Sequence, residues 1–289
     1  LVGSEMCIRD RGDTLRCAAP GGLHGAAVQL PYPSVGATEN LLIAAAGTPA
    51  ETKITGAAAE PEISDLLAYL RGCGALIESQ PDGAILVQGR EALTGCCCHA
   101  ILPDRIEAAT YLAAAAITGG EITVYASPEH LAAPLAALRR MGCRITTGEQ
   151  SITLTAPEHL QGAGSIVTLP YPGFPTDLQA IFMALAAAAE GYTAFTETVF
   201  PRRWAHVEEL RRLGADITVV GSHAVIRGAH LIGSALTCTD LRAGAAVVLA
   251  ALAAKGESSV TAISHIERGY ADFVPALRHL GADICLTEV

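Results

Sequence analysis

Apolar residues along this chain recur in a helix-then-strand rhythm. In Val207-Glu208-Glu209-Leu210-Arg211-Arg212-Leu213 they stand three apart, which makes one face of a helix and not the alternation of a strand. Gly214-Ala215-Asp216-Ile217 follows, with a glycine where a helix C-cap needs positive φ and a β-branched residue to open a strand. The phrase returns as Gly74-Ala75-Leu76-Ile77, Gly142-Cys143-Arg144-Ile145 and Gly281-Ala282-Asp283-Ile284, with successive glycines 68, 72 and 67 residues apart.

A second anchor precedes each copy. Ser34, Asp104, Asp177 and Asp240 lie 70, 73 and 63 residues apart, and each heads an Ala-rich stretch of helical composition. Each supplies or adjoins an oxygen suited to an N-cap, and Asp104-Arg105-Ile106-Glu107 also has capping-box spacing. Gly119, Gly191 and Gly256 end these stretches, and β-rich runs follow at 121–125, 192–196 and 258–262. One unit therefore reads helix, strand, helix, strand, strand. A period near seventy residues exceeds that of common solenoids, so the units are expected to assemble closed α/β domains.

Composition narrows the class. A length of 289 residues fits about two domains at roughly 100–200 residues each. With 17% charged and 51% hydrophobic residues the chain has enough apolar surface to fold. The most apolar runs, 178–189 and 243–254, span a dozen residues each. That is short of the ~18–20 a spanning helix needs, so they read as buried helices and not as membrane segments. A net charge of −10 leaves no basic field for broad nucleic-acid binding. Nine cysteines, three of them consecutive at Cys96, Cys97 and Cys98, lack the paired spacing of a secreted disulfide framework or a zinc site. They read as buried thiols of a reducing, cytoplasmic compartment. Residues 1–12 begin without Met, match none of the repeats, and read as an unmatched leader or scar.

The unit heads carry more polarity than caps require. Pro175-Thr176-Asp177, Thr239-Asp240-Leu241-Arg242 and His265-Ile266-Glu267-Arg268-Gly269-Tyr270 place acids and guanidiniums at helix starts or turns, and Arg202 and Arg203 precede another helix. Equivalent ends of repeated units share a rim, where arginine forks and helix starts suit phosphate or carboxylate. The same residues also read as caps and surface ion pairs.

Several phrases resemble the UDP-N-acetylglucosamine 1-carboxyvinyltransferase family, the enolpyruvyl transferases that open peptidoglycan synthesis. They are Leu30-Pro31-Tyr32-Pro33-Ser34-Val35-Gly36-Ala37-Thr38-Glu39-Asn40, Leu102-Pro103-Asp104-Arg105-Ile106-Glu107, Pro172-Gly173-Phe174-Pro175-Thr176-Asp177-Leu178-Gln179-Ala180, Thr196-Glu197-Thr198-Val199-Phe200, Thr239-Asp240-Leu241-Arg242-Ala243 and the 265–270 phrase. They stand in family order from about Gly21 onward. The resemblance implies an inside-out α/β barrel of six units in two domains, with substrates in the cleft between them. On that pattern 13–102 is the remnant of the first domain, its last repeat unit, and 103–289 the second domain with three units. The chain then reads as the C-terminal portion of such an enzyme, incomplete at its N-terminus.

The resemblance also implies chemistry and roles. Phosphoenolpyruvate and UDP-N-acetylglucosamine are the expected partners, and the scheme calls for no metal and no cofactor. By motif match, Asp177 is the base and holds the sugar hydroxyl, while Arg203, Arg242 and Arg268 clamp phosphoenolpyruvate and the tetrahedral ketal. Asp240 orients the pocket and its arginines. Tyr32, Pro33, Ser34 and Val35 match the uridine-nucleotide loop, with Tyr32 where Lys is common, and Val199 matches a backbone contact to the sugar. The family's acid Cys or Asp loop and its Lys-Asn pair have no match in this sequence, so the chain alone is expected to be inactive and prone to association. Two other readings stand beside this one: a non-catalytic UDP-sugar-binding paralogue, and an enolpyruvyl transferase for a shikimate-type acceptor.

Overall fold

In a computed structural model of the chain, all four recurring glycines are left-handed, with φ of 95° at Gly74, 95° at Gly142, 96° at Gly214 and 101° at Gly281. Each closes its helix the same way. The glycine N–H donates to the carbonyl of Arg71, Arg139, Arg211 or Arg278, three residues back. The next N–H donates to a buried leucine five residues back, at Leu70, Leu138, Leu210 or Leu277. This double bond pattern satisfies carbonyls that a helix end leaves orphaned, and only a residue tolerant of positive φ permits it. Four copies of one sequence phrase thus become four copies of one turn.

The structure describes residues 9–11, 14–16, 18–96 and 98–287. The reading of 1–12 as a leader or scar therefore falls mostly outside the described residues, as do Cys7, Cys17 and Cys97. The chain divides into two compact units, Leu1–Leu102 and Pro103–Val289.

The first unit opens with a short antiparallel pair, β1 (Arg9–Arg11) and β2 (Thr14–Arg16). Then come β3 (Ala27–Gln29), α1 (Val35–Ala46), β4 (Glu51–Thr55), α2 (Pro61–Gly72), β5 (Leu76–Ser79) and β6 (Ile85–Gln88). The sheet runs β3-β4-β6-β5, with β3 parallel to β4 and the other pairs antiparallel. One face of it, including Ile54 and Val87, joins Leu42 and Leu67 of the helices in a core of its own.

The second unit repeats that order. Its first module holds α3 (Arg105–Thr118), β7 (Glu121–Val124), α4 (Ala132–Arg140), β8 (Arg144–Thr147) and β9 (Ile152–Thr155). The next holds β10 (Gly164–Val167), α5 (Gln179–Ala188), β11 (Tyr192–Thr196), α6 (His206–Arg212), β12 (Asp216–Val220) and β13 (His223–Arg227). The last holds β14 (Ala235–Thr237), α7 (Leu241–Ala253), β15 (Ser259–Thr261), α8 (Ser264–Glu267) and α9 (Phe273–His279). Its sheets run β7-β9-β8, β10-β11-β13-β12 and β14-β15.

The Ala-rich helices α3, α5 and α7 pack on one another in the core, and the sheets lie outside them. Alanines such as Ala113, Ala184 and Ala245 are fully buried, and their small side chains let the helix backbones approach closely. Gly244 in α7 is also tightly packed: a Cβ there would stand 2.8 Å from Ile266 Cγ1 and 3.0 Å from Cys238 Sγ.

Two expectations are corrected. The last module forms no strand at 282–287, and among the described residues β15 pairs only with β14. The hairpin partner that orders β5, β8 and β12 has no counterpart there among the described residues. The cysteines divide as well: Cys73, Cys143 and Cys238 are buried, and burial pushes the last two thiols up to about 11. Cys98 and Cys285 are exposed on irregular segments.

Candidate active site

Three of the four module heads spend their side-chain oxygen on the helix they precede. Ser34 Oγ accepts from Ala37 N–H at 3.4 Å, and Asp104 Oδ1 accepts from Ile106 and Glu107 N–H at 2.7 and 3.0 Å. Asp240 Oδ1 accepts from Arg242 and Ala243 N–H at 2.9 and 2.8 Å. These are N-caps that satisfy orphaned donors of the first turn.

Asp177 is different. A 3-10 turn, Thr176–Leu178, intervenes before α5, so Leu178 takes the capping position and makes no side-chain cap bond. The Asp177 carboxylate is free of the cap, and Oδ1 accepts from Arg203 Nη2 and from Arg242 Nε, each at 3.3 Å. Its side chain is 43% exposed, against 23% for Arg203 and 14% for Arg242. The arrangement is an accessible carboxylate backed by two sheltered cations.

The second cation is fixed from behind. The Arg242 guanidinium lies over the Tyr270 ring at 5.4 Å, a cation–π distance, and the buried Tyr270 hydroxyl is 2.9 Å from Thr110 Oγ1 on α3. Burial works to lower the pKa of Arg242, but Tyr270 and Asp177 outweigh it and the net shift is upward. Burial raises Tyr270 in turn, partly offset by Arg242. This chain of contacts links α3 to the starts of α5 and α7.

Glu197, fully buried just past β11, organises the other side. Its Oε1 accepts from Thr168 Oγ1 at 2.8 Å and from the N–H groups of Val199 and Phe200 at 2.8 and 2.9 Å. Its Oε2 accepts from Thr176 Oγ1 at 2.9 Å, so one carboxyl group ties the Asp177 turn to the 198–200 loop. Arg203 stands 5.6 Å over the Phe200 ring of that loop. A buried acid with four partners is a satisfied network. Behind Arg203, His206 is buried with Nε2 3.1 Å from Met183 Sδ. Burial, with Arg203 adding to it and Asp240 opposing, pulls its pKa down to about 4.

The structure thus brings Asp177, Arg203 and Arg242 together and sets Asp240 at the cap beneath Arg242. Arg268 is exposed at the end of α8 and, among the described residues, its side chain makes no hydrogen bond or ion pair. Val199 presents its N–H to Glu197. In the first unit, Tyr32 is 41% exposed, Pro33 follows it, Ser34 caps α1 and Val35 opens that helix. Sequence reading missed Thr110, Thr176, Glu197, His206 and Tyr270 as parts of the network. Thr176, Glu197 and Tyr270 stood inside phrases already singled out, without a role assigned to them, whereas nothing in the sequence marked Thr110 or His206. Among the described residues no group of three or more His, Cys, Asp or Glu is placed to hold a metal ion, and no helix is long and apolar enough to cross a membrane.

Comparison with known proteins gives this fold its class. The crystal structure of the enolpyruvyl transferase NikO from Streptomyces tendae matches at a TM-score of 0.86 and 28% identity, over 96% of this chain and 69% of that one. An EPSP synthase structure from Acinetobacter baumannii matches at 0.71 and 19% identity over 98% of this chain, a likeness of fold. A carboxylate and two arginines on repeated α/β modules therefore sit within an enolpyruvyl transferase fold. Residues 6–277 match the family model described as EPSP synthase (3-phosphoshikimate 1-carboxyvinyltransferase), and the chain belongs to that family.

Within the family, it is 46% identical over 285 residues to the UDP-N-acetylglucosamine 1-carboxyvinyltransferase of Gluconacetobacter diazotrophicus, covering 98% of this chain and 67% of that protein. It is 47% identical over 272 residues to the protein of the same name from Synechocystis sp., covering 92% of this chain and 61% of that protein. The chain thus spans about two thirds of the length of these relatives.

Proposed function

We propose that this chain supplies the acid–arginine rim of an enzyme that moves the enolpyruvyl group of phosphoenolpyruvate onto the 3′-hydroxyl of UDP-N-acetylglucosamine, the first committed step of peptidoglycan synthesis in the cytoplasm. The observation that carries this reading is Asp177, uncapped and accessible between Arg203 and Arg242. In the proposed reaction C3 of the enol gains a proton while the sugar hydroxyl oxygen bonds to C2 and gives its proton to Asp177. The resulting tetrahedral ketal loses a proton from C3, reforms the double bond and expels phosphate. Arg203 and Arg242 hold the anionic end of the substrate and the ketal, a preorganised electrostatic role, and Asp177 is a general base within reach of both. Arg268 completes the clamp from its exposed turn, Asp240 holds the start of α7 in place, and Val199 contacts the sugar. Tyr32, Pro33, Ser34 and Val35 of the first unit are assigned to the nucleotide by motif match alone.

The protonating acid and the Lys-Asn pair of the resembled family have no match among these 289 residues, so the chain is expected to bind these substrates without turning them over. Phosphate release from phosphoenolpyruvate with UDP-N-acetylglucosamine, set against calorimetric binding of each substrate to the purified chain, tests this. Binding without release is the expected result. Binding of neither substrate overturns the assignment, and saturable use of 3-phosphoshikimate in place of the nucleotide sugar reassigns the acceptor.

A further inference from the structure

Buried polar groups are nearly always paired, so those left over demand an explanation. Around the Asp177 site there are three such atoms on two residues: Gln179 Nε2, Gln179 Oε1 and Arg242 Nη1 have no hydrogen-bond partner among the described residues. Gln179 is fully buried, and it is the first residue of α5. The repeat gives its position meaning. Gln179 follows Asp177 by two residues, as Arg242 follows Asp240. The two side chains are therefore equivalent in successive modules, at the starts of helices that pack on each other and are joined by the Arg242–Asp177 bond.

An amide kept solely to fill space at this position would be replaced without loss by an apolar side chain of the same size. Leaving it unpaired in a closed interior costs free energy that such a side chain would not. We infer that Gln179 is a ligand-positioning residue of the site proposed above: its Nε2 and Arg242 Nη1 together donate to one oxygen of a small oxyanion bound beside Asp177. The amide oxygen then pairs with the water that the anion carries in. This rests on the reading of the site as an oxyanion clamp but goes beyond it, because it adds an uncharged donor buried beneath the arginines. Phosphate and carboxylate ends share this chemistry, and the probes below separate them.

The test uses the full 289-residue chain and its Gln179→Met and Gln179→Glu variants. Thermal unfolding of the free proteins is measured, together with calorimetric affinity for phosphoenolpyruvate, inorganic phosphate and pyruvate. For Gln179→Met the expected outcome is an unchanged or raised Tm together with affinity about tenfold weaker, the usual effect of losing one hydrogen bond to a charged partner. The weakening shared by phosphoenolpyruvate and pyruvate marks the carboxylate as the end held; weakening shared with inorganic phosphate marks the phosphate. Gln179→Glu, which sets a negative charge against the anion, is expected to weaken binding further. If the parent chain binds and Gln179→Met binds equally well, the inference fails while the site stands. If Gln179→Met lowers Tm by several degrees with unchanged affinity, Gln179 is a structural residue and the inference fails. If the parent chain binds none of the three, both the site and the inference fall.

Discussion

The starts of α5 and α7 are the same place in successive modules, and they do different work. At α7 the aspartate is consumed by the helix: Asp240 Oδ1 takes two backbone N–H groups and the helix begins at once. At α5 a 3-10 turn puts the helix start two residues past the aspartate instead of one, and Asp177 turns instead to Arg203 and Arg242. The interiors differ to match. Four residues beyond Asp240 stands Gly244, and four beyond Asp177 stands the fully buried Ile181. A repeated module therefore keeps its backbone plan while one copy frees a carboxylate from its cap and the other anchors the cation that faces it.

Exchanging the interiors is the most severe way to break that comparison. Gly244→Ile, which gives α7 the residue of α5, drives a branched side chain into Ile266 and Cys238. The expected cost exceeds the ~1–3 kcal/mol of ordinary overpacking, because the Cβ alone already meets both neighbours too closely. Chemical denaturation should show loss of the cooperative transition, whereas Gly244→Ala should keep it with a lowered midpoint.

The buried imidazole near both starts gives the next largest effect. His206 titrates near 4 in the fold, against its ordinary value near 6.5. Between those pH values the unfolded chain binds a proton that the folded chain refuses, so stability falls as pH drops from about 6.5 to about 4. Below that range both states are protonated and the loss levels off. The loss attributable to this group is on the order of 3 kcal/mol. Denaturation midpoints across that pH range should show it, with the slope flattened in His206→Gln; an equal slope in the variant removes His206 as the cause.

The smallest effects distinguish the two aspartates most directly. Asp177→Asn leaves the largely buried Arg242 without its counter-charge, a cost of about 1–3 kcal/mol given the partial exposure of the pair. Millimolar phosphate should restore that loss by replacing the missing anion. Asp240→Asn keeps an oxygen at the cap and should cost about 1 kcal/mol or less, with no rescue by phosphate. Differential scanning fluorimetry of both variants with and without phosphate checks the contrast. Equal responses would mean the two starts are not functionally distinct.

Much of this architecture can be read from the sequence. The glycine phrase foretold four identical helix closures because positive φ is a local demand that only a few residues meet. Ser34, Asp104 and Asp240 foretold their caps for the same reason. Asp177 looked like the others, and its diversion by the 3-10 turn depends on Thr176 being held by Glu197, twenty-one residues on. Tyr270 reaches Thr110 across 160 residues, and Arg242 reaches Asp177 across 65. Spacing along the chain does not say which module ends converge. The strand anticipated at Ile284 failed on similar grounds, since a strand exists only with a neighbour to pair with and local composition cannot supply one.

Trp204 is the only tryptophan in the chain, and its position matters for watching the site at work. Its indole N–H is shared between the Pro201 and Gly221 carbonyls at 3.0 Å each, clamping the ring beside the backbone of Arg203. Emission from the whole molecule's indole therefore comes from one place, the residue next in sequence to Arg203. Any occupant that draws Arg203 off Asp177 shifts that lone fluorophore's surroundings, so occupancy can be followed by light without attaching a dye.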